Sequence, residues 1–227
     1  MSQAKASSVF SEAHFISEKT QKMFDLDYKP RFLPNPTVVP EFIPEKSNKP
    51  VISWIGRWDP IKRVQLALEV ARKLPDYDFH FVGVPTKNRF IQYASRNLAA
   101  QYERFPNIHI HGFISEQEKK SLLKDSWILM NTSFREGLPI TFLEAAAYGL
   151  AIVSSVNPDS WSERFGKYIP PSEDFVSGLK SFIDSEDPST FGRKAHNYVK
   201  EVHSLDKVME QHISAYNLII GNVRHSQ

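Results

Sequence analysis

The chain of 227 residues has no cysteine, which excludes a disulfide framework and thiolate metal sites and fits a reducing cytosol. It also has no long hydrophobic run. The amino terminus lacks the apolar centre of a signal peptide, and no stretch is long enough to cross a bilayer as a helix. Charge of one sign is missing as well. The 28 basic and 26 acidic residues are spread along the chain, leaving a net charge of +2 and no long basic block of the kind nucleic acid or an anionic membrane attracts. Any phosphate site must be local. The eight histidines include His109 and His111, which alternate on an expected strand; without a cluster of acidic partners around them they read as solvated or core imidazoles, not metal ligands. The expectation is a cytoplasmic protein without a metal, peripheral at a membrane only through a partner. Its hydrophobic content of 41% is enough for a real core.

Two regions flank a regular middle. Within residues 1–30, Phe15, Ile16, Lys19, Met23 and Phe24 suggest one amphipathic helix. Six prolines from Pro30 to Pro50 then rule out a helix and disfavour sheet pairing, so this part reads as a linker. From Val51 the pattern changes. VISWIG is an apolar strand, and Pro60 is expected to open a helix with a buried stripe of Ile61, Val64, Leu66, Ala67, Leu68, Val70, Ala71 and Leu74. FHFVGV, NIHIHGF, WILMN and AIVSS are further strands, with a weak last one near Lys167 to Pro170, and helices alternate with them. Ser115 and Glu118 form a capping-box signature for the helix after NIHIHGF. Such alternation predicts an α/β domain with a doubly wound, Rossmann-like parallel sheet. Two helices follow, near 188–203 and 205–221, the latter with an apolar stripe of Leu205, Val208, Met209, Ile213, Tyr216 and Ile220.

Chemistry is expected at the carboxyl ends of such strands, above all between Trp127 and Ser155. There the turn TSFREGLP joins the apolar run WILMN to a helix opening at Pro139. Glu136 stands in the turn and Glu144 inside the helix, and Glu144 is the only charged residue between Glu136 and Asp159. A carboxylate in so apolar a run needs hydrogen-bond donors, and a sugar diol would serve. Backbone amides around Gly137, Leu138 and Ile140 face a positive helix terminus suited to phosphate, and Gly137 permits close approach. After the first strand come Gly56, Arg57 and Lys62, a fork and a point charge suited to a diphosphate. The spacing orders a ligand as ribose at Glu144, diphosphate at the helix start, and sugar at Glu136. Plainer readings remain open: Arg57, Lys62 and Arg63 as surface cations, Glu136 as a helix-end carboxylate, and Glu144 as a buried partner of Arg57 or Lys62.

Taken together, Gly56-Arg57 with Lys62, His111-Gly112-Phe113, and Glu136-Gly137-Leu138-Pro139 leading to Glu144-Ala145-Ala146 resemble the donor-sugar domain of retaining GT-B glycosyltransferases, the group 1 family with its E-x7-E motif. The resemblance implies three parts. Residues 1–50 would be the tail of an acceptor domain and the interdomain linker, residues 51–185 the nucleotide-sugar-binding domain, and residues 186–227 helices packing back on the fold or on a missing amino-terminal domain. It implies retaining transfer of a hexosyl group from a nucleotide-diphospho-sugar to a glycan, lipid or small-molecule acceptor, with no cofactor, no metal and no nucleic acid. In this frame Arg57 and Lys62 neutralise the leaving diphosphate, and Glu136 contacts the transferred sugar. Glu144 binds the ribose, Gly56, Gly137, Leu138 and Pro139 lie against the donor, and Ile114 lies against the base. With only the tail of an acceptor domain, the chain alone is expected to transfer poorly and to need a separate acceptor-binding domain or subunit. Several positions depart from the family pattern. Arg63 follows the motif lysine in place of a frequent glycine, Val84 replaces the second glycine after strand two, and Val156-Asn157-Pro158-Asp159 replaces a glycine-rich turn. A sugar-nucleotide epimerase of the same fold and a non-catalytic module binding through the Leu205–Ile220 stripe are the alternatives.

Overall fold

The computed structural model describes residues 10–11 and 31–224, so the expected helix around Phe15 to Phe24 lies outside the described residues. Two short parallel strands, β1 (Phe10–Ser11) and β2 (Arg31–Phe32), pair with each other. The connector after them holds no helix and is pinned to the body by polar contacts. The Thr37 amide donates to His203 O at 2.8 Å, and the Lys46 ammonium donates to Leu123 O at 3.2 Å and Tyr148 O at 2.7 Å.

The body is one parallel sheet of six strands: β3 (Val51–Ile55), β4 (Asp78–Val82), β5 (Ile108–Gly112), β6 (Ile128–Asn131), β7 (Ala151–Ser154) and β8 (Gly166–Tyr168). Their order is β5-β4-β3-β6-β7-β8. Counted from β3, this is the Rossmann order, whose direction reverses between β3 and β6. The helices are α1 (Val64–Lys73), α2 (Arg89–Tyr102), α3 (Glu116–Asp125), α4 (Ile140–Ala147), α5 (Trp161–Phe165), α6 (Phe175–Ser185), α7 (Pro188–Val202) and α8 (Leu205–Arg224).

Alternate strand residues feed two cores, as a sheet covered on both faces requires. Ile52, Trp54, Phe79, Phe81, Met130 and Val153 meet α1 and the Phe175, Leu179 and Phe182 side of α6. Leu129 and Ile152 meet Phe142, Leu143 and the alanines of α4, with Trp161, Ala195 and Val199 beyond. Each fully buried side chain of this size contributes about 1.5–3 kcal/mol. Gly192 lets α7 approach the turn after α4 closely: a Cβ there would stand 2.0 Å from Gly149 O. The capping box of α3 forms, with Ser115 N donating to Glu118 at 2.7 Å.

Several expectations need correction. The first crossover helix does not open at Pro60 but at Val64, because Pro60 to Arg63 form a turn and Arg63 is left-handed. Lys62 therefore sits before the helix, and Ile61 is exposed instead of joining the buried stripe. The last strand starts at Gly166, and α6 falls in a stretch that the periodicity did not mark. Of the α8 stripe only Val208 is fully buried, while Leu205, Met209, Ile213 and Tyr216 stay exposed; the side chain of Ile220 lies outside the described residues. Among the described residues no helix is long and apolar enough to cross a membrane.

Candidate active site

The turns after β3 and β6 leave the sheet where its direction reverses, so their side chains face one another across the switch point. Backbone bonds join them first. Phe134 N donates to Ile61 O at 2.7 Å, and the buried Thr132 hydroxyl donates to Lys62 O at 2.9 Å while accepting the Trp54 indole N–H at 3.1 Å. Gly83 permits the neighbouring turn after β4 to pass close by. Its φ is +138°, and a Cβ there would lie 1.8 Å from Gly56 O.

On this frame Lys62 forms an ion pair with Glu136, although 74 residues separate them. Ser133 donates a second hydrogen bond to the same Glu136 oxygen at 2.6 Å. Both ends of the pair are largely shielded from solvent, which strengthens it over a surface contact. Arg57 belongs to the same turn. It is 71% exposed and lies 3.4 Å from Asp59, whose other carboxylate oxygen accepts the Lys62 amide at 2.9 Å. Arg57, Asp59, Lys62 and Glu136 thus form one continuous chain at the edge of the sheet, not surface charges scattered singly.

Gly56 follows β3 directly, and its amide donates to Val82 O at 3.0 Å. Gly137 is exposed, Leu138 and Pro139 bury their side chains, and Pro139 occupies the N-cap of α4 with no side-chain cap. Among the described residues no side chain caps the opening of α4, so its first amides are offered to a ligand. Ile114, half-buried, lies in the loop between Gly112 and the Ser115 cap.

Glu144, about one turn beyond the start of α4, has partners of its own. It pairs not with Arg57 or Lys62 but with Lys119 of α3, at 2.8 Å, and Lys119 also meets Glu116 at 2.9 Å. Burial works against the Lys119 ammonium, but the two carboxylates outweigh it and hold its pKa above the usual value. Glu144 lines a cavity of about 230 Å³ together with Thr37 and Val38 of the connector, Lys119, Ile140 and Leu205.

Sequence reasoning gave no role to Lys119 or Ser133, and took Arg63 only as a surface cation and a departure from the glycine pattern. Arg63 has φ 50° and ψ 48°, and its guanidinium donates to Thr132 O at 2.6 Å and Ser155 Oγ at 2.9 Å. Ser155 in turn donates to Ser133 O at 2.7 Å, so one side chain ties the ends of β3, β6 and β7 together. Burial lowers the Arg63 pKa from its ordinary value, yet a guanidinium remains charged. Among the described residues the non-glycine positions with positive φ are Arg63, Asp159 and Ser160. They fall at or beside two of the departures from the glycine pattern, so the backbone is left-handed there although the glycine is gone. The signal that would have found Arg63 was that substitution itself.

A family model described as glycosyl transferases group 1 matches residues 39–202. No curated protein matches the chain in sequence. Among solved structures, a mutant of S. aureus TarM in complex with Fondaparinux, alpha-GlcNAc-glycerol and UDP superposes with a TM-score of 0.72 at 18% identity, over 92% of this chain and 43% of that one. Sucrose-phosphate synthase from Thermosynechococcus elongatus gives a TM-score of 0.77 at 15% identity, over 94% of this chain and 58% of that one. The C-terminal domain of a group 1 family glycosyl transferase from Francisella tularensis gives 0.57 at 21% identity, over 70% of this chain and 89% of that one. The chain thus spans about half the length of the first two and shares their fold. With the family model covering most of its length, this chain belongs to the group 1 glycosyltransferases.

Proposed function

We propose that the chain binds a nucleoside-diphosphate sugar at the edge formed by the turns after β3 and β6, and supports retaining transfer of its hexosyl group to an acceptor. The observation that carries this reading is the Lys62–Glu136 pair at the switch point, beside the uncapped start of α4 and the exposed Arg57. A diphosphate arriving there meets two cations and the first amides of a helix. As the phosphate oxygens draw Lys62 away, Glu136 is released to accept hydroxyls of the transferred sugar. Charge then grows on the departing diphosphate oxygen, and groups already fixed around it lower the barrier. Gly56, Gly137, Leu138 and Pro139 shape the phosphate wall with their backbone. Glu144 accepts the ribose hydroxyls at the cavity it shares with Lys119, and Ile114 lies against the base. In this scheme the side-chain cations do the work of a metal, and no cofactor is required. Relatives of the fold point the same way: UDP is bound in the TarM structure, and UDP-glucose in a structure of HepE from Anabaena.

The test is calorimetric titration of the chain with UDP, GDP and ADP. One of them should bind, and Lys62→Ala and Arg57→Ala should each weaken it about tenfold to a hundredfold, the worth of a hydrogen bond to a charged group. Unchanged affinity in both variants would remove the diphosphate from this edge.

A further inference from the structure

From Val84 to Tyr102 the chain carries Lys87, Arg89 and Arg96 and not one Asp or Glu. Helix α2 occupies most of this stretch, with the Asn88 side chain capping it by accepting from Phe90 N at 2.9 Å and Ile91 N at 3.2 Å. Only Ser95 is fully buried within the helix. Arg89, Tyr93 and Arg96 follow one another at helical spacing on the same side, and Phe90 stands three positions before Tyr93. Phe90 is 79% and Tyr93 69% exposed, so two aromatic rings project into solvent between cations.

The face also has a defined position. The turn leading into α2 is joined to the candidate site, with Trp58 N donating to Val84 O at 3.0 Å. It is joined as well to the end of β5 by Gly83 N donating to Gly112 O at 2.7 Å, and the next residue, Phe113, is the most exposed large apolar residue of the described chain. Val84, Phe90, Tyr93 and Phe113 are all exposed, and all belong to elements that leave the same carboxyl edge as Arg57 and Lys62.

We propose that this aromatic and cationic face of α2 docks directly onto an anionic lipid bilayer. Rings projecting from a convex helix enter the interfacial layer, and flanking guanidinium and ammonium groups meet headgroup phosphates. Charge complementarity selects that occupant, since a stretch with three exposed cations and no Asp or Glu between Val84 and Tyr102 gains nothing from neutral lipid beyond the insertion of its rings. Each cation close to an anionic leaflet strengthens binding about fivefold, so the three together give about a hundredfold. Docking brings the edge that holds the candidate site close to the membrane plane, where a lipid-borne acceptor would be presented. The inference stands on the helix alone and does not depend on nucleotide binding.

Co-sedimentation with vesicles of phosphatidylcholine, with and without phosphatidylglycerol, tests it. The chain should pellet with the mixed vesicles and stay in solution with the neutral ones, and raising the salt should release it. K87Q/R89Q/R96Q should abolish pelleting, and F90S/Y93S should weaken it about tenfold or more. All five side chains are exposed, and circular dichroism verifies that both variants fold. Equal binding to neutral vesicles, unchanged pelleting of either variant, or binding to single-stranded RNA in place of vesicles would each overturn the proposal.

Discussion

Arg63 offers a test in which two opposing terms can be separated. Its left-handed backbone costs a residue with a Cβ about 1–2 kcal/mol, a penalty that glycine escapes. Its guanidinium recovers this through two hydrogen bonds, to a buried carbonyl and a buried hydroxyl, each worth about 1.5–3 kcal/mol for a charged donor before allowance for partial exposure. Replacement by alanine keeps the strained backbone and removes both bonds, so about 2–4 kcal/mol of stability should be lost. Replacement by glycine removes the same bonds but relieves the strain, and should come out about 1 kcal/mol more stable than alanine. That order reverses the usual one, in which glycine near a helix start is the weaker residue. Urea unfolding followed by circular dichroism reads both differences as shifts of the midpoint at constant slope. If alanine equals or exceeds glycine, the left-handed conformation is not what position 63 imposes. If both variants match the parent, the guanidinium bridge contributes nothing.

Two further outcomes follow from the same geometry. Gly83→Ala should be among the most damaging single changes, costing about 3–5 kcal/mol, because the new Cβ would meet the Gly56 carbonyl oxygen at 1.8 Å, a backbone atom that cannot swing aside, at a φ of +138°; a urea midpoint within error of the parent would refute this. Acid should weaken the fold before its carboxylates titrate. Burial lowers the pKa of His80 to about 4, with the positive charges of His109 and His111 adding to it, and burial also lowers those of His111 and His203. The unfolded chain, with histidines near 6.5, then binds more protons than the folded one, so stability held above about pH 6.5 is lost as the pH falls toward about 4. Thermal melts across that window should decline, and His80→Gln should flatten the decline; an unchanged slope would clear His80.

What the sequence by itself determined was whatever depends on neighbours within one helix turn or one strand. The alternation of apolar runs and amphipathic stretches marked the parallel sheet from Val51 onward, the Ser115 and Glu118 spacing marked a capped helix, and TSFREGLP marked the turn opening α4 at Pro139. Period and spacing are local properties, and local propensity reports them. Tertiary structure alone decided which charges meet. Lys62 finds Glu136 because β3 and β6 are neighbours at the point where the sheet reverses. Glu144 finds Lys119 because α3 and α4 share the face that buries Leu123 and Leu143, so the acid pairs with a residue 25 positions upstream and not with either cation of the first turn. The false start of α1 has the same origin. Pro60 is a good first helical residue in isolation, but the turn is drawn to β6 by the bonds from Phe134 and Thr132, and the helix begins only after Arg63 has bent left-handed. Contacts between residues far apart in the chain depend on strand order and on which face each crossover takes, and no window of sequence contains either.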